Sequence, residues 1–204
     1  MSLNLSVLPR LGLALLLLAG PLAPAAAQDA TATGPQRVRF ETTLGAFTIE
    51  VDTARAPLTG ASFLQYVSDG HYDGTIFHRV IGNFVVQGGG YLPDGTEKPV
   101  RAGVPNESGN GLSNRRGTVA VARTENPHSG NAQFYVNVAN NIALDPSPSR
   151  WGYAVFGRVI EGMDVIDRIA SVATGSRGPF PEETPLDPVV IGTARVVGEA
   201  VPPK

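Results

Sequence analysis

The sequence predicts one mainly β domain, most simply an antiparallel barrel closed on itself with two helices covering its ends. Three observations lead there. Strand-like runs recur between residues 37 and 197, each bounded by turn residues. The 24 glycines and 17 prolines among 204 residues require many turns and short elements. Only two segments, far apart in the chain, carry helical spacing. The length suits a single sizeable domain, and 42% apolar residues suffice for its core.

The first 27 residues stand outside that domain. Arg10 precedes the apolar run Leu11–Gly20, and Ala25-Ala26-Ala27 follows as a small-residue cleavage site. This is the pattern of a secretory signal peptide cut after Ala27, and the run is too short for an ordinary membrane-spanning helix. A periplasmic or secreted location is expected for the mature chain. Residues 28–36 read as a flexible leader, residues 37–197 as the domain and residues 198–204 as a flexible tail. The chain has no cysteine, so disulfides and a cysteine-linked lipid are excluded and stability rests on the core. Loss of Arg10 with the signal peptide takes the formal net charge from −2 to −3. That balance argues against nucleic acid, or a membrane surface after cleavage, as the main partner.

Within the domain, Val38 and Phe40, then Phe47, Ile49 and Val51, alternate with polar residues across a Gly-containing turn, a hairpin pattern. Ala56–Gly74 reads as a helix from about Leu58, with Pro57 at its start and Gly70 near its end. Thr75–Gly90, TIFHRVIGNFVVQGGG, gives two strands turning at Gly82-Asn83. Tyr91–Ser113 is a long polar, turn-rich segment. Gly117–Arg123, Ala132–Val138 and Trp151–Ile160 are strand-like, Gly162–Ala170 is a second short helix, and Pro188–Val197 closes the domain. Thr174–Asp187 reads as a Gly/Pro-rich loop.

Several chemistries lack their residues. His71, His78 and His128 show no compact metal spacing, and without cysteine a structural zinc site is not expected. There is no nucleophile elbow and no phosphate loop, and Gly88-Gly89-Gly90 leads into Tyr-Leu-Pro rather than a helix. Glu182-Glu183 reads as a solvated pair. One residue is out of place: Arg79 sits among apolar strand residues, and the nearest acids in sequence are Asp73 and Asp94. By itself such an arginine reads as a snorkelling strand-edge residue.

Three blocks change that reading. FHRVIGNFVVQGG, then GTVAVAR with AQFYVNVANNIALD, then YAVFGRVIEGMDVIDRI, taken in this order and spacing, resemble the cyclophilins, which are peptidyl-prolyl cis–trans isomerases. The resemblance runs from about Arg37 to Val197, and GPFPEETPLDPVVI with the signal peptide is most similar to the bacterial periplasmic branch. It implies a closed eight-stranded antiparallel barrel capped by two helices. It also implies that Arg79, Phe84, Gln87 and Gln133 are catalytic, in a groove on the outer face of the barrel. Val85, Ala122, Arg123, Thr124, Tyr135, Leu144 and Tyr153 are implied to bind substrate. His78 is expected to point away from the groove by strand alternation with Arg79.

The reaction explains these residue types. The X–Pro amide is held by a barrier of about 18–20 kcal/mol, and no covalent bond breaks, so no nucleophile, metal or cofactor is required. Phe84, Val85, Tyr135 and Leu144 suit the proline ring. Gln87, Gln133 and backbone groups near Arg123 suit the flanking chain. A guanidinium can donate to the prolyl nitrogen of the twisted amide or hold the rotating carbonyl oxygen. An acid beside Arg79 would occupy its donors, so the expected positioning partner is the amide oxygen of Gln87.

Four positions depart from the family pattern. Ala143 stands where the family usually has an aromatic residue that lines the groove, so weak or no cyclosporin binding is expected. Val85 stands for the commoner Met, Tyr135 for Phe and Tyr153 for His. The expected partners are proline-containing segments of exported proteins, and the default oligomeric state is a monomer. The departures leave two other readings open: a binding module or chaperone for such segments with little turnover, and a domain whose Tyr91–Ser113 loop binds a partner.

Overall fold

The computed structural model describes residues 35–198; the signal-peptide reading and the tail from residue 199 lie outside them. Ten strands and two helices follow one another along this span. Strand β1 (Gln36–Thr42) pairs with β2 (Gly45–Val51) as the predicted hairpin. Helix α1 (Pro57–Ser68) follows, then β3 (Phe77–Ile81), β4 (Val85–Gly88), β5 (Thr118–Val121) and β6 (Phe134–Asn137). Next come β7 (Val155–Glu161), helix α2 (Met163–Ala170), β8 (Thr174–Arg177), β9 (Phe180–Pro185) and β10 (Ile191–Val197). Gln36, read as leader, already pairs with Val51.

Eight strands form one antiparallel sheet in the order β10-β1-β2-β7-β5-β6-β4-β3. It curls around a core of alternating inward residues, among them Val38, Phe40, Phe47, Ile49, Val86 and Phe134. The expectation of a closed barrel needs correction. The edge strands β10 and β3 share no ladder, and the curled sheet is half-open along that seam. One bridge, Ile76 with Val190, spans it, helped by Phe77 N–H to Val189 C=O (3.0 Å) and Ile191 N–H to Thr75 C=O (2.7 Å). Pro188 has no N–H to extend the ladder. Alongside β3 the His78 carbonyl accepts the Thr184 hydroxyl (2.7 Å) instead of a strand partner.

Thr184 belongs to a second correction. Thr174–Asp187 is not all loop, because β8 and β9 pair as a two-stranded hairpin. Its Gly, Ser, Glu and Pro residues carry no alternating apolar face, so sequence pattern had nothing to detect. Tertiary contacts hold it. Phe180 packs on His78 and Tyr91 with ring centroids 5.5 and 5.0 Å apart.

The helices close the core. Helix α1 buries Phe63, Tyr66 and Val67, whereas Leu58 in its first turn is exposed. Its first backbone N–H groups are capped from afar by the Glu107 carboxylate, which accepts from Leu58 (3.0 Å) and Thr59 (2.7 Å). Helix α2 turns Val165, Ile166 and Ile169 inward. It starts at Gly162, whose φ is +76° and whose missing side chain leaves room for the Ala46 carbonyl. Gly162→Ala is therefore expected to cost at least about 2 kcal/mol, from left-handed strain plus a backbone clash. A urea denaturation series would read this as a lowered midpoint, and an unchanged midpoint would contradict it.

Candidate active site

Register across the sheet gathers the site. On the outer face one line of cross-strand partners runs Arg79 (β3), Gln87 (β4), Tyr135 (β6), Ala120 (β5) and Val155 (β7). The neighbouring line, Val80, Val86, Val136 and Val119, faces the core. With strands ~4.8 Å apart, Arg79 lies roughly 10 Å from Tyr135, the reach of about three extended residues.

Around Tyr135 a second apolar cluster stands apart from the main core. Val85, Ala120, Tyr135 and Val155 are buried in it, with Phe84, Leu112, Ala122, Leu144 and Tyr153 packed against them. Six residues read from the sequence (Phe84, Val85, Ala122, Tyr135, Leu144 and Tyr153) thus meet on one surface. Leu112, Ala120 and Val155 were missed. Alternation with the core-facing Val119 and Phe156 could have found the last two; Leu112 comes from the long polar segment and carries no such signal.

A polar frame holds this cluster. The Tyr135 hydroxyl donates to Asn114 Oδ1 (2.8 Å), so the additional hydroxyl has its partner; burial pushes its ionisation above the usual range. Asn114 in turn donates its backbone N–H (2.7 Å) and side-chain amide (2.9 Å) to Asp145, which also accepts from the Ser113 hydroxyl. Burial disfavours the Asp145 carboxylate, but the donors from Ser113 and Asn114 outweigh it and hold the group below its ordinary value. Asp145 directly follows the 3-10 turn Ile142–Leu144, and this frame fixes the turn that carries Leu144. Ala143 is exposed on the same turn.

The rim is more polar. Gln87 donates its amide to Gln133 Oε1 (3.0 Å), which ties two expected site residues together. Arg123 spends its guanidinium on the carbonyls of Gly152, Thr124 and Trp151 and lies over the Tyr153 ring at 4.4 Å. Three of its five N–H donors are engaged in this way. Thr124 is exposed, with both its N–H and its hydroxyl on the Ser129 hydroxyl.

Arg79 overturns the expected partner. Its Nε donates to Glu183 Oε2 at 2.9 Å, and Gln87 faces Gln133 instead. Glu183 is no freely solvated acid, and it lies 104 residues away in sequence. His78 departs from simple alternation as well. A β-bulge between Phe77 and Arg79 puts two residues, His78 and Arg79, between the inward-facing Phe77 and Val80. Bulges beside functional sites re-aim side chains in this way. The His78 ring packs on Tyr91 at 4.7 Å and on Phe180 at 5.5 Å.

Burial, with the Arg79 charge second, lowers the His78 pKa from 6.5 to about 4. The unfolded chain therefore binds a proton between these values that the folded one refuses, and stability falls as pH drops from about 6.5 to about 4. His71, lowered mainly by burial, acts in the same direction. A loss of about 2–3 kcal/mol over this window is expected from His78. Denaturation midpoints at pH 7 and pH 4.5 should differ in the parent and differ much less in His78→Phe; equal pH sensitivity in both would contradict the assignment.

The family Cyclophilin type peptidyl-prolyl cis-trans isomerase/CLD matches residues 37–196. The chain belongs to this family. As a cyclophilin it is a peptidyl-prolyl cis–trans isomerase. Peptidyl-prolyl cis-trans isomerase cyp18 of Streptomyces antibioticus is 51% identical over 165 residues, covering 79% of this chain and 98% of that protein. Peptidyl-prolyl cis-trans isomerase B of Escherichia coli K12 is 44% identical over 162 residues, covering 78% and 98%. The crystal structure of a Cryptosporidium parvum cyclophilin in the presence of the dipeptide Ala-Pro superposes with a TM-score of 0.69 at 25% identity, covering 80% of this chain and all of that one.

Proposed function

We propose that this cyclophilin accelerates rotation about X–Pro bonds in exported proteins as they fold, with Arg79 as the donor that favours the twisted amide. One observation carries the reading: a single outer-face line of strand partners sets the Arg79 guanidinium about three residues from an apolar cluster built on Tyr135. The proline ring packs on Phe84, Val85, Tyr135 and Leu144. Gln87, Gln133 and the backbone near Ala122 and Arg123 hold the chain on either side. As the amide twists, resonance is lost and the prolyl nitrogen gains a lone pair that the guanidinium can meet. Lowering the barrier by about 7 kcal/mol would give roughly 10⁵-fold acceleration. The Ala-Pro dipeptide present with the Cryptosporidium parvum relative supports proline-containing substrates. Export rests on the N-terminal sequence pattern. Exposed Ala143 supports weak or no cyclosporin binding, and a monomer is the proposed state.

The test is exchange spectroscopy of a short X–Pro peptide with the protein beginning at Gln28. Faster cis–trans exchange upholds the reading. Peptide binding without faster exchange would replace it with a binding module, and neither effect would dissociate the groove from proline altogether.

A further inference from the structure

Among the described residues, Asn83 and Glu183 are the non-glycine residues with positive φ, at 59° and 60°. Asn83 sits in the tight turn between β3 and β4, where asparagine tolerates that conformation. Glu183 lies in strand β9 at a bulge, where residues 181–183 face Ser176 alone between the partners Phe180–Arg177 and Thr184–Gly175. A left-handed glutamate is strained, and such strain persists where the surroundings impose it.

The surroundings here are specific. Thr184, the next residue, is buried and donates to the carbonyl of His78, the residue before Arg79. Phe180, at the other end of β9, is packed on His78 and Tyr91. The two anchors bracket Glu183 and fix its carboxylate against Arg79. The contact uses one donor, Nε; neither Nη group has a hydrogen-bond partner among the described residues. The pair is 40% and 36% exposed, and surface pairs of this kind add little to stability. Stability therefore does not account for the Arg79–Glu183 contact that the bulge sets up.

We propose that Glu183 is a positioning residue for the isomerase. It holds Arg79 by Nε, in the plane and direction set by a rigid hairpin, and leaves the two Nη groups for the substrate. An acid next to the arginine then costs no donor that the reaction needs. This inference deepens the reading of Arg79 and rests on it.

Steady-state kinetics on an X–Pro peptide should compare the parent with Arg79→Ala, Glu183→Ala, Glu183→Gln, Glu183→Gly and the double variant Arg79→Ala/Glu183→Ala. Glu183→Ala is expected to lower kcat about five- to tenfold with KM within about twofold, as for loss of one charged hydrogen bond acting in the transition state. Glu183→Gln keeps an acceptor oxygen and should recover most of that loss. Glu183→Gly relieves the strain, so it should melt no lower than the parent while turning over as slowly as Glu183→Ala. On the Arg79→Ala background, Glu183→Ala should change the residual rate by less than about twofold. The proposal fails if Glu183→Ala is as fast as the parent or faster, the latter marking the acid as a competitor of the substrate. It also fails if the same loss persists without Arg79. If Arg79→Ala itself matches the parent, the catalytic reading fails first, and the two failures are distinguishable.

Discussion

Arg79→Ala is expected to lower kcat/KM for an X–Pro peptide by about 10²–10³-fold, the cost of removing one preorganised donor from a transition state. The fold should survive, because the side chain is half-exposed and its one partner is a surface carboxylate. Peptide affinity should change little, since the proline ring is held by the separate cluster around Tyr135. Arg79→Lys should fare only slightly better. An ammonium is a point charge, and it cannot give one nitrogen to Glu183 while aiming a fixed fork at the substrate. Exchange spectroscopy at saturating and subsaturating peptide separates turnover from binding; a variant within about threefold of the parent would remove Arg79 from the chemistry.

Phe134→Ala carries the largest expected cost in stability, about 3–5 kcal/mol. Phe134 is 1% exposed and lies at the centre of the aromatic core, with ring centroids 5.4 Å from Phe40 and Tyr72 and 5.8 Å from Phe63. It also stands between Gln133 and Tyr135, so the strand that presents the outer site is pinned from within by this ring. Urea unfolding would show the loss as a lower midpoint, and activity at low temperature should fall as Gln133 and Tyr135 lose their anchor. A cost below about 1 kcal/mol would mean that neighbouring rings collapse into the space, contrary to the packing described.

The resemblance of the three blocks named most of the candidate site, and the period of two in strands explains why those residues share a face. Once the second block is a strand, Phe134 inward forces Gln133 and Tyr135 outward, and Val85 and Gln87 follow on the neighbouring strand. What stayed hidden is not periodic. The bulge at His78 leaves no mark in composition, so alternation placed that side chain by the wrong rule. Glu183 reaches Arg79 across 104 residues of sequence, out of a segment whose glycines and prolines read as loop. The Asn114–Asp145 frame joins a loop segment to the end of a 3-10 turn by partly buried polar groups, and such pairings depend on tertiary closure. The open seam was missed for a related reason: nothing in β10 or β3 announces whether two edge strands will complete a ladder.

The bulge has a consequence for phase. Phe77 opposes Gly88 and Arg79 opposes Gln87, which are adjacent residues, so His78 is supernumerary to the ladder. Without it, Phe77 would still face inward, Arg79 outward and Val80 inward. The extra residue is thus silent for the sheet and its core, yet it supplies the carbonyl that receives Thr184 and the ring that receives Phe180. The sheet specifies which side Arg79 occupies, whereas one inserted residue provides the docking point for the hairpin that meets it. Placement and attachment are thereby written in separate residues, and the hairpin's hold on the arginine can vary without disturbing the frame of the barrel.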